Sequence, residues 1–285
     1  MKKYRNWLYR NSFYSYLTLL CFVFIAPPAF SEEKKVLSFG VVPQQSAGKL
    51  ARNWIPVLDY IGNKTGYIIN FETAPDIPEF EKRLQKGMYD LAYMNPYHYA
   101  AYSKTPGYRA FAKQKGEKLV AILVTKKNSE IRSIQDLRGK ILAFPSPAAF
   151  AASILTREFL LKNGIDITPK YVGSHDSVYR TVANGIYPAG GGITRTLENM
   201  EKDVKEQLHI IWTSKPYTPH AFASLPSVSD SVVNKILNAM KLMNNDPEAL
   251  NLLKSIEFTG FEQARDLEWN DIRALRIKEL ESKGK

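Results

Sequence analysis

Cysteine is almost absent from this chain. Cys21 is the single cysteine among 285 residues, and it lies inside an N-terminal apolar run. A lipoprotein cleavage site requires a small residue before its cysteine, whereas Leu20 stands there, so we interpret Cys21 as part of a removed leader. The rest of the chain can then form no disulfide, and its stability must come from its hydrophobic core.

Long apolar segments are equally scarce. The one such segment covers residues 16–26, follows four Lys or Arg side chains within the first ten residues, and precedes small residues at positions 29 and 31. It is too short to span a bilayer and is typical of a secretory signal peptide. We predict a signal peptide over residues 1–31 and export to the periplasm, with an uncleaved membrane anchor as the alternative.

The chain has no run of like charges. Its formal charge is +11, of which the predicted signal peptide carries four positive charges. The remaining lysines are spread along the chain and do not form the clustered patches of nucleic-acid-binding proteins, so we expect no nucleic-acid partner. A basic exported protein can attract an anionic solute, or it can merely tolerate a basic surface.

Strand-like and helix-like segments alternate along the first half of the exported chain. KVLSFGVVP is rich in β-branched and aromatic residues and predicts a strand, whereas GKLARNWIPVLDYIGNKTG has apolar residues at helical spacing. YIINFETA, IPEFEKRLQKGM and YDLAYMNP continue as strand, helix and strand. This βαβαβ alternation predicts a mostly parallel sheet covered by helices.

The second half repeats the alternation with different loops. ILAFP predicts a strand, AASILTREFLLKNG a helix and LHIIWTS a further strand, whereas YPAGGG is expected to lead into a helix through Leu197 and Met200. The pattern predicts an α/β fold with two lobes. Residues 32–122 and 221–285 are expected to form lobe 1, and residues 123–220 to form lobe 2.

Ligands of such sheets bind beyond the carboxyl ends of the strands, and between two lobes those ends face each other. The candidate site is therefore the set of turns that follow the strands. These turns cover residues 43–47, 73–77, 93–97, 145–149, 173–176, 190–196 and 213–220.

Several of these segments resemble a known family. SFGVVP, LQKGMYDLAYMNPYHY, SIQDLRGKILAF, GSHDSVYRTVANG, IIWTSKPYTPHAF and LEWNDIRALRIKEL occur in an order and spacing similar to those of the periplasmic solute-binding proteins of phosphate, phosphite and phosphonate ABC transporters. The resemblance covers nearly the whole exported chain. It implies a class II periplasmic binding protein, with two lobes that close on an oxyanion held by helix N-termini.

The same resemblance implies a changed pocket. The family has Asp-Pro, then two serines around one residue, then glycine, and its hydroxyl and N–H groups hold the phosphoryl oxygens. Here Ser146 replaces the aspartate, and Ala149, Ala151 and Ala152 stand at the serine and glycine positions. Each lost hydrogen bond to a charged group costs about 1.5 to 3 kcal/mol. Backbone donors at Ala148, Ala149 and Phe150 are expected to remain.

Other ligand positions of the family also carry different residues. His175 matches a histidine near the oxyanion, and its alternative role is to cap the following helix. In the family, aromatic side chains contact the ligand at two positions. The matching residues in this chain are Ile77 and Met94, close to Tyr93. The acidic pair that holds an ammonium group falls on Arg195 and His220, so we expect an ammonium-bearing ligand to be repelled. Arg195 is expected to bind the anion through its guanidinium group. The alternative is that Arg195 is a solvated helix residue without a role in binding.

Catalytic and metal sites have little support. Ser174, His175 and Asp176 are sequence neighbours, whereas a nucleophile, base and orienting carboxylate come from separate loops. GGGITRT lacks the lysine of a phosphate-binding P-loop, and the four histidines lack metal-ligand spacing. We therefore expect no enzyme activity, no metal and no cofactor.

The resemblance thus implies a monomeric periplasmic binding protein that delivers a small oxyanion to an ABC permease. The alternative is a ligand-binding partner of a membrane sensor kinase, with a ligand other than a phosphonate. Lobe closure creates the surface that either partner would recognise, so one chain's sequence does not separate them.

Overall fold

We describe residues 36–277 of a computed structural model of the chain. The predicted signal peptide, residues 1–31, and its cleavage position lie outside these residues. Between residues 36 and 277, no helix is both long and apolar enough to cross a membrane.

Helices and strands alternate through most of the described chain. The strands are β1 (Val36–Val41), β2 (Ile68–Glu72), β3 (Leu91–Met94), β4 (Arg109–Gln114), β5 (Ala121–Lys126), β6 (Ile141–Phe144), β7 (Thr168–Tyr171), β8 (Ala189–Ile193), β9 (Leu208–Thr213), β10 (Ala221–Ser224) and β11 (Phe261–Gln263). The α-helices are α1 (Ala47–Thr65), α2 (Ile77–Gln85), α3 (Pro96–Tyr102), α4 (Thr156–Lys162), α5 (His175–Ala183), α6 (Thr194–Glu198), α7 (Lys202–Lys205), α8 (Asp230–Leu242), α9 (Pro247–Ser255) and α10 (Asn270–Arg273). Short 3-10 turns cover Ile134–Leu137 and Asp266–Trp269, and a π-helical segment covers Phe150–Leu155.

The strands form two mixed sheets. The first is six-stranded, with the order β11-β4-β10-β3-β1-β2, and the second is five-stranded, with the order β7-β6-β8-β5-β9. Only β1 with β2 and β3, and β6 with β7 and β8, pair in parallel. The predicted parallel pairing is confirmed for the βαβαβ segment β1 to β3. The sheets as a whole are mixed, because β4, β5, β9, β10 and β11 enter by routes other than βαβ units and pair antiparallel. The α/β class with two lobes is confirmed.

The central strand of the second sheet, β8, has the sequence AGGGI. The predicted helix after this segment is confirmed at Leu197 in α6, but it ends at Glu198, before Met200, and the strand β8 itself was not predicted. Its glycines have a packing reason. A Cβ atom on Gly191 would lie 1.9 Å from the carbonyl oxygen of Ala152, and one on Gly192 would lie 2.2 Å from the Tyr179 hydroxyl. The π-helical segment therefore packs directly on the β8 backbone.

Apolar packing holds both sheets in place. In the first sheet, the buried rings of Trp54, Phe222 and Phe258 surround Tyr93, whose ring centroid lies 4.9 Å from that of Trp54 and 4.7 Å from that of Phe222. Tyr93 thereby has a fixed position at the end of β3, where the candidate site begins. In the second sheet, Val178 and Val182 of α5 belong to the core on one face.

The chain passes between the sheets twice. The first crossover joins β4 to β5, and the second joins β9 to β10. The crossovers pair with each other at Leu119 and Tyr217, where each N–H donates to the other's carbonyl oxygen at 2.8 and 2.9 Å. Two paired strands are suited to act as a hinge, since they bend together more easily than a packed core. The division at residues 122 and 221 stays a prediction.

Candidate anion-binding cleft

A buried helical segment begins directly after β6 and its turn at Pro145. It starts as the π-helical segment and continues as α4, and the N–H groups of Ser153 and Ile154 both donate to the Ala149 carbonyl, at 2.7 and 3.3 Å. Within residues 36–277, the N–H groups of Phe150, Ala151 and Ala152 have no acceptor. Unpaired N–H groups at the start of a helix attract an anion.

The residues that carry these N–H groups border a small space between the two sheets, which we call the inner cavity. Its lining comes from both sheets: Val42, Gln44, Ile77, Asn95, Leu119, Ala149, Phe150, Ala151, Ala152, His175, Ile193 and His220. The volume open to the centre of a water-sized sphere is about 10 Å³. None of these lining residues is acidic, so no carboxylate there opposes an anion.

The predicted ligand contacts divide into three groups. Ile77, Ala149, Phe150, His175 and His220 line the inner cavity. Tyr93 and Arg195 line an adjoining space, which His220 also borders. Ser146, Ala148 and Met94 line neither space, although all three are buried. Residues far apart in the sequence are thus brought together, and their role as ligand contacts stays a prediction.

His175 is the first residue of α5. The interpretation of this histidine as the helix cap is wrong, because Ser174 is the N-cap and its Oγ accepts from the Ser177 N–H at 3.1 Å. The His175 ring is buried, and its Nδ1 lies 3.2 Å from the Thr196 Oγ1. Burial, helped by the nearby Arg195 charge, lowers the pKa of His175 to about 3. His175 is therefore neutral at physiological pH.

His220 lies between the two spaces and stacks on Tyr93, with ring centroids 5.0 Å apart. Its Nε2 atom has no hydrogen-bond partner within residues 36–277. Burial, and then the positive charge of Arg195, lower its pKa well below the ordinary value. Of the expected pair Arg195 and His220, only Arg195 is therefore charged, and the positive potential is smaller than the sequence suggests.

Arg195 extends from α6 toward the first sheet. Its Nη2 donates to the Gln44 Oε1 at 2.6 Å, and its guanidinium carbon lies 5.8 Å from the ring centre of Tyr93 and 5.7 Å from that of Phe258. These contacts contradict the alternative of a solvated helix residue. Arg195 connects the two sheets across the cleft, and its remaining N–H groups are the donors that an anion requires.

Three polar residues on the first sheet's side of the cleft were not predicted from the sequence. Gln44 accepts from both Arg195 and the His175 N–H, the latter at 3.0 Å. The Lys49 Nζ donates to the Asn199 carbonyl at 2.6 Å, and the Asn95 Nδ2 donates to the Ala148 carbonyl at 3.3 Å.

Gln44 and Asn95 occur in two of the predicted turns, which is the signal that could have identified them. Together with Lys49 they hold the cleft closed by direct bonds between the two sides.

The adjoining space, which we call the outer chamber, is larger than the inner cavity. Its volume open to water-sized sphere centres is about 270 Å³. It is lined by Tyr93, Gln114, Glu117, Lys118, Leu119, Val120, Ile193, Thr194, Arg195, Glu198, Pro219, His220 and Glu257. Charged side chains of both signs are therefore found there, in contrast to the inner cavity.

The buried histidines predict an acid-sensitive fold. Because the pKa of His175 is about 3 when folded and 6.5 ordinarily, the unfolded chain binds a proton between these values that the folded chain does not. The free energy of unfolding should fall as pH decreases through this window, by at most about 1.4 kcal/mol per pH unit for each such histidine. Urea unfolding between about pH 7 and about pH 4.5 measures this slope.

The control for this prediction is a second histidine. His175→Gln should reduce the slope, whereas His209→Gln, at an exposed position, should not. Equal slopes in the original protein and in the His175→Gln variant would contradict the prediction.

Known proteins are similar to this chain over most of its length. A family model described as the periplasmic substrate-binding protein of phosphonate ABC transporters matches residues 39–269. The chain is 24% identical over 287 aligned positions to the phosphonates-binding periplasmic protein of Escherichia coli, covering 95% of this chain and 83% of that protein. It is 21% identical to the phosphate-import protein PhnD of Mycolicibacterium smegmatis, covering 80% of this chain and 75% of that protein.

Solved structures give the same fold. PhnD1 from Prochlorococcus marinus, determined in complex with methylphosphonate, superposes with a TM-score of 0.78 at 16% identity, covering 85% of this chain and 97% of that one. The match of the family model spans both sheets and every element of the cleft. The chain therefore belongs to the family of periplasmic substrate-binding proteins of phosphonate ABC transporters.

Proposed function

We propose that this protein binds a small oxyanion with a phosphoryl or phosphonyl group in the inner cavity and delivers it to an ABC permease. The observation that carries the proposal is the set of unpaired N–H groups at Phe150, Ala151 and Ala152, which border a cavity without carboxylates. The partial positive charge of a helix N-terminus favours an anion there. Arg195, which lines the adjoining space, adds a full positive charge.

Closure of the lobes is part of this function. The inner cavity holds about one water molecule, so a phosphoryl group enters only when the two sides separate. The bonds of Gln44, Lys49 and Asn95 across the cleft then break and form again around the ligand. The closed surface is the feature that a permease recognises. No observation on residues 36–277 favours a sensor kinase as the partner.

We also infer that the protein is a monomeric binding protein of the periplasm and not an enzyme. The Ser174 hydroxyl is used as the N-cap of α5, and the adjacent His175 ring faces Thr196. These residues therefore form no relay between a nucleophile and a base. Within residues 36–277, no cluster of three or more His, Cys, Asp or Glu is placed to hold a metal ion.

A thermal-shift screen tests the proposed ligand class. Phosphate, phosphite and methylphosphonate should each be compared with aminoethylphosphonate, sulfate and acetate. A ligand at about 100 times its dissociation constant adds about 2.7 kcal/mol to the free energy of unfolding, equivalent to a rise of about 5 to 10 °C for a chain of this size. We expect this rise with one or more of the first three and not with aminoethylphosphonate, whose ammonium group Arg195 would repel.

No thermal shift with any phosphorus compound would show that the corner at residues 145–152 holds no phosphoryl group. A rise with acetate or sulfate alone would also contradict the proposal, because it would assign the cleft to another anion.

A further inference from the structure

The outer chamber is continuous in its lining with the inner cavity, because Leu119, Ile193 and His220 border both. The two spaces differ greatly in size, at about 10 and about 270 Å³. An anionic head group in the inner cavity would therefore have a roomier space beside it. The question is which chemical group this second space would accept.

The charges of the outer chamber favour a neutral polar group. Carboxylates of Glu117, Glu198 and Glu257 share the lining with the cations Lys118 and Arg195. A hydroxyl group can donate to a carboxylate and accept from an ammonium or guanidinium group. An apolar group would leave these charges without new partners, and an ammonium group could pair only with the carboxylates, whereas a hydroxyl group can pair with charges of both signs.

His220 provides an independent observation. It is 4% exposed, its Nε2 atom has no partner within residues 36–277, and it borders both spaces. A buried nitrogen without a hydrogen bond is costly, so it favours any ligand that supplies one. Its neutral imidazole can donate a hydrogen bond to a hydroxyl group or accept one from it.

The outer chamber also borders both crossovers between the sheets. Glu117, Lys118 and Leu119 belong to the first crossover, and Pro219 and His220 to the second. A group that fills the chamber would contact the two segments that pair at Leu119 and Tyr217. Such contacts would add to the binding energy only in the closed protein, where both crossovers approach the group.

We propose that the outer chamber binds a hydroxylated organic substituent attached to the phosphorus group, as in a hydroxyalkyl phosphonate or a polyol phosphate monoester. This proposal rests on the proposed function, since it assumes that the phosphoryl or phosphonyl group lies in the inner cavity. It assigns the preference among organophosphorus ligands to the chamber residues.

Calorimetric titration of the whole protein with a matched series of ligands tests this preference. Propylphosphonate, 3-hydroxypropylphosphonate and 3-aminopropylphosphonate differ at one terminal group, and methylphosphonate lacks the substituent. We expect 3-hydroxypropylphosphonate to bind about tenfold more tightly than propylphosphonate, equivalent to one good hydrogen bond. Glycerol 3-phosphate, compared with methyl phosphate, tests whether the hydroxylated ligand is a phosphate ester instead of a phosphonate.

Two variants locate the effect. Thr194→Phe narrows the outer chamber and should reduce the ratio of 3-hydroxypropylphosphonate to methylphosphonate affinity by about tenfold. The matched control is Thr168→Phe, at an exposed position on the edge strand β7, which should leave the ratio unchanged. Since the readout is a ratio, a small loss of stability common to both ligands does not affect it.

The outcomes separate the two proposals. Binding of methylphosphonate with no preference between 3-hydroxypropylphosphonate and propylphosphonate would overturn the chamber assignment and leave the proposed function intact. A preference that persists in Thr194→Phe would also overturn it. No binding of any phosphorus compound would overturn the proposed function and the chamber assignment together.

Discussion

Replacement of Arg195 by alanine is expected to lower the affinity for the bound oxyanion by about 100-fold or more, with little change in the fold. The variant removes a charged donor whose guanidinium lies next to the inner cavity, and each hydrogen bond to a charged group contributes about 1.5 to 3 kcal/mol. It also removes the 2.6 Å bond to Gln44 across the cleft. Calorimetric titration with the oxyanion identified by thermal shift measures the loss.

Two further variants separate charge from closure. Gln44→Ala removes the acceptor of the same bond but keeps the guanidinium, so it should lose less affinity than Arg195→Ala. Arg109→Ala is the matched control, since Arg109 pairs with Asp230 at 3.4 Å, away from the residues that line the cleft. Unchanged affinity in Arg195→Ala would refute the assignment of this residue to the ligand. Equal losses in all three variants would indicate a general loss of structure.

Restoring hydroxyl groups at the anion corner should have an effect of similar size and opposite sign. Ala149 and Ala151 occupy the positions where the family has serines, and both line the inner cavity. The double variant Ala149→Ser/Ala151→Ser adds two donors next to the unpaired N–H groups. At about 1.5 kcal/mol or more for each bond to a charged oxygen, the affinity for methylphosphonate should rise by about 100-fold.

A control for this gain is Ala239→Ser, a buried alanine of α8 that lines neither space. It should leave the affinity unchanged. Direct titration of both variants with methylphosphonate shows whether a gain in affinity depends on where the hydroxyl groups are added. An Ala149→Ser/Ala151→Ser protein that stays folded and gains no affinity would show that the phosphonyl oxygens do not lie at this corner.

Much of the cleft could be predicted from local patterns. The turns at residues 43–47, 93–97 and 173–176 each contribute a residue to the inner cavity, because strand ends and helix starts are local properties of the chain. The helix after β6 was also predictable, and its unpaired N–H groups follow from its position at a helix start. These parts depend on neighbours a few residues apart.

Other parts depend on contacts between distant residues. The β8 strand was missed because its glycines have low strand propensity, yet Gly191 allows the Ala152 carbonyl to approach closely. The short strand β10 was missed because its pairing with β3 and β4 joins residues more than a hundred positions apart. Arg195 was predicted as an anion contact, but no local pattern indicated that Gln44 would bind it.

The α/β class and the family follow from the sequence, since apolar periodicity and motif order are properties of the chain alone. The alanines at positions 149 and 151, where the resemblance implies serines, are also read directly from the sequence. The fold sets the charge state of His175 and His220, because burial and the nearby Arg195 lower their pKa values. It also decided the size of the two spaces and the bonds that close the cleft, because these arise where side chains from separate sheets meet.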